Sequence, residues 1–158
     1  MTAIREHSMS CLLTGEPLAV SHAREEARKA LYGWGLGEHA DLAELIVSEL
    51  ATNAIRHGAR PVRVRVSYAR DGLRVDVHDA GAGRPVRRQP AADDEAGRGL
   101  NLLGGLIGEY GGCLGVANDI EGDGKTVYVV ISLKTGLEGA PVGGPPGVLD
   151  IGADPCPG

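Results

Sequence analysis

Apolar and polar positions alternate strictly over two stretches of this chain. Val62, Val64, Val66 and Tyr68 are interleaved with Arg63, Arg65 and Ser67, and Leu73, Val75 and Val77 with Arg74, Asp76 and His78. A period of two marks a strand that sets one face on a core. Arg70-Asp71-Gly72 between the stretches is a hairpin turn signal, so the two are predicted to pair. Cys113 to Ile120 and Thr126 to Leu133 predict two more strands, joined by a turn at Gly122-Asp123-Gly124. Residues 8–13 predict a short edge strand. Elsewhere the spacing changes to three and four: Ala19, Ala23, Ala27, Ala30, Leu31 and Trp34 predict a helix that begins near Pro17. Proline suits the first turn, where its missing N–H costs little, and Gly33, Gly35 and Gly37 end the element. A second helix is predicted from about Glu38 to His57, stopping at Gly58, with Leu42, Leu45, Ile46 and Leu50 on its apolar face. Leu100 to Tyr110 predicts a third.

The order is therefore strand, helix, helix, strand, strand, loop, helix, strand, strand. Elements are grouped rather than strictly alternating, which favours an α+β two-layer sandwich over a doubly wound sheet. Residues 80–98 keep no period and hold an arginine pair, Arg87-Arg88, and an acidic run, Asp93-Asp94-Glu95. A long loop of this kind in a compact domain tends to be a lid or a binding loop. From Gly136 the chain is rich in Gly and Pro and is expected to be a disordered tail, as residues 1–7 are expected to be a disordered start. A single domain over 8–135 remains.

Composition narrows the classes. A chain of 158 residues suits one domain. The net charge of −5 argues against direct, generic nucleic-acid binding, although 13 Arg outnumber 3 Lys. No apolar run approaches the roughly 20 residues of a membrane span. Arg5, Glu6 and His7 followed by a short apolar stretch do not resemble a secretory signal, so a cytoplasmic location is expected. Cys11, Cys113 and Cys156 are odd in number and widely spaced, which suggests neither a disulfide framework nor a zinc knuckle.

Candidate chemistry lies in polar residues at apolar positions. Glu49 stands seven residues after Leu42, and Asn53 four after Glu49, so a carboxylate and a carboxamide continue the apolar line of the second helix. Burying an unpaired carboxylate is costly. One reading is a metal or water site, in which the Asn oxygen ligates a hard cation and Glu holds or activates a water. The other is that the stripe rotates and both residues flank the core, partly solvated. Asp79 has the parity of Leu73, Val75 and Val77 and is followed by Gly81 and Gly83. That arrangement suits the polar edge of a ligand, or equally an Asp capping its own turn. Gly97-Arg98-Gly99 opens the helix at Leu100, where backbone N–H groups favour an anion and Arg98 could pair with a phosphate. Two phosphate motifs are excluded. Gly124-Lys125-Thr126 lacks the P-loop glycine, since Asp119 occupies its place, and neither Gly-x-Gly completes a dinucleotide fingerprint, since Val86 and Leu102 stand at the third glycine position.

Taken in order, Glu49-Leu50-Ala51-Thr52-Asn53-Ala54, Asp79-Ala80-Gly81-Ala82-Gly83, Gly97-Arg98-Gly99-Leu100 and Gly124-Lys125-Thr126-Val127-Tyr128 resemble the GHKL ATPase superfamily. That group includes the ATP-binding domains of histidine kinases, type II topoisomerases and heat-shock chaperones. Ser-Glu-Leu-Ala-Thr-Asn-Ala-Ile-Arg-His-Gly at 48–58 looks like the stand-alone bacterial anti-sigma-factor serine/threonine kinases, and closer still to their actinobacterial-type regulatory relatives. The resemblance implies a sandwich with a mixed, mostly antiparallel sheet and helices on one face. It implies ATP and Mg²⁺ as cofactors. Asn53 would coordinate the metal, Glu49 would be the catalytic base or water-orienting carboxylate, and Asp79 would accept from the adenine amino group. Gly81 and Gly83 would shape the base pocket. Gly97, Gly99 and the helix start at Leu100 would meet the phosphates with Arg98, and Thr126 would lie near Asp79. Residues 84–98 would form the ATP lid. The implied function is a regulatory kinase that binds a sigma factor and phosphorylates a small antagonist (anti-anti-sigma) protein, with no membrane partner and with a homodimer allowed for. A non-catalytic ATP-binding switch acting on a transcription-regulatory partner is the alternative.

Overall fold

The computed structural model describes residues 6–57, 60–70, 72–81, 103–122 and 124–133. β1 (His7–Leu13) leads through a short link to α1 (Ala19–Gly33), a single 3-10 turn (Gly37–His39) and α2 (Ala40–His57). The hairpin of β2 (Val62–Ala69) and β3 (Gly72–Asp79) follows. Residues 103–109 are helical (α3), and β4 (Cys113–Asn118) and β5 (Lys125–Ser132) close the described chain. β1 begins at His7, whose ring stacks on Trp34 at 5.7 Å, so the ordered part starts before the expected disordered segment ends.

The strands form one 5-stranded sheet in the order β1-β2-β3-β5-β4. Every pairing between them is antiparallel, so the sheet among the described residues is not mixed. β3 is central, and β5, the second strand of its own hairpin, lies beside it while β4 takes the edge. The inward parity runs Val62, Val64, Val66 on β2, Leu73, Val75, Val77 on β3 and Val129, Ile131 on β5. These pack with Ala23, Ala27 and Leu31 of α1, with Ile46, Val47, Leu50 and Ala51 of α2, and with Leu103 and Ile107 of α3 in one core. Helices therefore cover one face of the sheet, as an α+β sandwich requires. Each fully buried Val or Leu contributes about 1.5–3 kcal/mol of transfer free energy, which makes this layer the main source of stability.

α2 seats itself differently from the hydropathy expectation. Ala40, Leu42, Ala43, Ile46, Val47, Leu50, Ala51 and Ala54 are buried, whereas Leu45 is 42% exposed. Small alanines let α1 and α2 approach closely, and the buried stripe turns toward them. On the outer face of the sheet, the Arg74 guanidinium stands 4.6 Å from the Tyr128 ring centroid. Gly115 pairs directly with Tyr128, and a Cβ there would overlap the ring. Cys11 is a free thiol, whereas Cys113 is disulfide-bonded. Count and spacing suggest no disulfide framework, and spacing along the chain does not report which thiols meet in space. No described helix is long and apolar enough to cross a membrane.

Candidate functional site

Four chain segments converge at one end of the sandwich. α2 ends at His57, and the four residues 58–61 carry the chain to Val62. Val62 is the cross-strand partner of Asp79, the last residue of β3. On its other side Asp79 pairs with Lys125, the first residue of β5. The last turns of α2, the end of β3 and the start of β5 are thus neighbours.

Asp79 keeps the inward parity of its strand and is 1% exposed. A carboxylate at such a depth needs compensation. Lys125 supplies it, with its Nζ 3.2 Å from Oδ2 and 3.3 Å from Oδ1, while the Gly81 N–H donates to Oδ1 at 2.9 Å. Lys125 is itself buried, at 7% exposure. Asp79 therefore caps the turn at Gly81 while standing as an inward acid at a strand end.

Glu49 and Asn53 are half-buried, one helical turn apart on α2. They lie at the margin of the core stripe rather than inside it, because the stripe has turned toward the alanines. The Asn53 carboxamide stands out: its Nδ2 is buried and has no hydrogen-bond partner among the described residues. A buried polar group left unpaired costs roughly 1–3 kcal/mol, and such a group in a native fold calls for an explanation. Which amide end carries the nitrogen is an assignment, so as placed the group offers a donor to a phosphate oxygen, and turned over it offers Oδ1 to a hard cation. Either way the carboxamide fits a metal–phosphate ligand, and the neighbouring Glu49 carboxylate fits a role beside it. Among the described residues no cluster of three or more His, Cys, Asp or Glu side chains could hold a metal by itself, so a cation here would rely on Asn53 and on ligand oxygens.

Thr126 lies one residue from Lys125, the cross-strand partner of Asp79, but its side chain takes the other face. Side chains alternate along a strand. Lys125, Val127, Val129 and Ile131 face inward, so Thr126 faces the outer surface, paired with His78. There the His78 Nε2 lies 2.9 Å from Asp119 Oδ2. A Cβ at Gly124 would overlap Asp119 Oδ2 and come within 2.7 Å of His78 Nε2, so a side chain there would displace this contact. The residue brought to Asp79 is Lys125, which the sequence reading passed over. Its parity with Val127 and Val129 was the available signal. Gly83, Gly97, Arg98, Gly99, Leu100 and the lid over 84–98 lie outside the described residues.

A buried acid ends β3, and α2, which packs on β3, carries Glu49 and the unsatisfied Asn53 Nδ2. Residues 13–131 match the family model of the histidine kinase-like ATPase domain, and the chain belongs to that family. No curated protein matches the chain. Among solved structures it is similar to the histidine kinase domain of the Erythrobacter litoralis EL346 blue-light activated histidine kinase, with 24% identity, 73% of this chain and 59% of that one covered, and a TM-score of 0.48. The blue-light activated kinase in another structure gives 29% identity over 60% of this chain and 31% of that one, with a TM-score of 0.45. The Acinetobacter baumannii histidine kinase AdeS gives 19% identity, 80% and 68% coverage, and a TM-score of 0.48. The chain thus spans 59% or less of the length of the two blue-light kinase chains.

Proposed function

We propose that this chain is a Mg-ATP-dependent regulatory protein kinase of the anti-sigma-factor type, which binds a sigma factor and phosphorylates Ser or Thr on a small antagonist protein. Membership in the histidine kinase-like ATPase family supports nucleotide binding. The observation that carries the site is the buried Asn53 Nδ2, unpartnered among the described residues, one turn from Glu49 on the helix that packs against β3. The resemblance of residues 48–58 to the stand-alone serine/threonine kinases supports the choice of substrate class.

In this reading Asn53 would hold Mg²⁺ and Asp79 would meet the adenine edge, and Mg-ATP, when bound, would supply the phosphoryl group with its charge neutralised. Phosphoryl transfer asks the protein mainly for positioning and electrostatics. Glu49 accepts the proton of the attacking Ser or Thr hydroxyl as that oxygen takes the phosphoryl group and ADP is left behind. A general base contributes roughly 10²–10⁴ in rate. The test is transfer of labelled γ-phosphate to a cognate antagonist protein. Wild type should transfer it, and Glu49→Gln should lose transfer while keeping Mg-ATP affinity within a few-fold. Full transfer by Glu49→Gln would withdraw the catalytic role. If wild type transfers nothing while ATP still alters partner affinity, the chain is a binding switch instead.

A further inference from the structure

The buried pair of Asp79 and Lys125 does more than stabilise the end of the sheet. An ionised carboxylate is an acceptor only, whereas a protonated one can also donate. The Lys125 ammonium lies within 3.3 Å of both Asp79 oxygens, and with the Gly81 N–H it fixes the carboxylate in charge and in orientation. Both side chains are withdrawn from water, at 2% and 9% side-chain exposure, so the ammonium has no competitor in solvent for this task. We propose that Lys125 is a specificity-determining positioning residue: it keeps Asp79 an obligate acceptor, and so makes the site select a 6-amino purine over a 6-oxo purine. This rests on the nucleotide-binding reading of the same site.

The chemistry follows from the two bases. Adenine presents an N–H donor at position 6, which an ionised Asp79 accepts. A 6-oxo purine presents a carbonyl there, and oxygen meets oxygen with no proton between them. Without the ammonium the carboxyl is no longer held as an acceptor only, and a carboxyl that carries a proton donates to the carbonyl. The selection then disappears. Lys125 acts through Asp79 and is not assigned any contact with the base.

ATP and inosine triphosphate form the cleanest probe pair, since they differ only at position 6 and its adjoining ring proton. Their affinities are to be measured by calorimetry with Mg²⁺ on the full chain. Wild type should favour ATP by roughly 10- to 100-fold, the usual result of leaving one buried polar group unpaired. Lys125→Met should bring the ratio to within about three-fold, and Lys125→Arg, which keeps the charge, should retain most of it. A merely structural role would weaken both nucleotides alike and leave the ratio unchanged. If Lys125→Met does not fold, Lys125→Gln, which keeps a donor to the carboxylate but no charge, carries the same comparison. An unchanged ratio in a folded neutral variant overturns the proposal, as does a wild-type preference for inosine triphosphate, which would show the ammonium itself reading the carbonyl. A wild type that binds neither nucleotide overturns the nucleotide-binding reading, and this proposal with it; retained Mg-ATP binding with an unmoved ratio overturns this proposal alone.

Discussion

Replacing Asp79 with alanine strands the Lys125 ammonium inside the protein. The two oxygens it loses stand at 3.2 and 3.3 Å, and the Gly81 N–H loses its 2.9 Å acceptor as well. Removing one partner of a buried pair costs roughly 3–5 kcal/mol, because the other charge is left uncompensated. The Gly81 N–H sits in a half-exposed turn and can take a water, which adds little. The lysine stem can bend its head group toward solvent, since the pair lies at the end of the sheet. The low end, about 3 kcal/mol, is therefore expected. For a domain of this size that is a fall in Tm of roughly 10 °C. The assay is urea unfolding at neutral pH without nucleotide, because a ligand that binds the folded state would add stability of its own. The double variant Asp79→Leu with Lys125→Met removes both charges and should recover to within about 1 kcal/mol of wild type, as neutral replacements of buried pairs often do. A loss below about 1 kcal/mol for Asp79→Ala, the range of exposed pairs, would refute the reasoning. So would a double variant no better than the single.

Two further outcomes are expected. Asn53→Ala removes an unsatisfied buried group, so the nucleotide-free fold should keep its stability or gain up to about 1 kcal/mol, while Mg-dependent ATP binding weakens at least ten-fold by calorimetry. Cys11 has its thiol pushed above the ordinary 9.0, by burial first and by the Glu26 carboxylate second. It should react with iodoacetamide more slowly in the native chain than in urea at the same pH. The folded state keeps this proton where the unfolded chain releases it, so this contribution to stability is constant below pH 9.0 and falls as the pH rises beyond it.

Much of the architecture was legible because period and burial agree. β2 and β3 alternate with valine on one side and arginine on the other, and the hairpin between them has only one register that buries all the valines. The pairing of β4 with β5 was equally plain, but which of the two docks on β3 was not: both carry apolar residues on either face. Along α2 the hydropathy of Leu45 misled, because Ala40, Ala43, Ala51 and Ala54 hold the core positions and weigh little on any scale. That rotation also explains why Glu49 and Asn53 sit at the margin of the core. Asp79 was found by strand parity alone. Lys125 was missed although the same parity marks it, because a lysine at the first position of a strand reads as solvent-facing until its partner is known. Thr126, which the resemblance put near Asp79, follows Asp79's cross-strand partner by one residue and faces the other side of the sheet.

The central claim is that this end of the sandwich binds ATP through a metal, and the direct measurement is a calorimetric titration of ATP into the full chain with Mg²⁺ and then with EDTA. The account predicts a single saturable site with Mg²⁺ and binding at least ten-fold weaker with the metal removed. Equal affinity with and without Mg²⁺, or no binding in either condition, would contradict it.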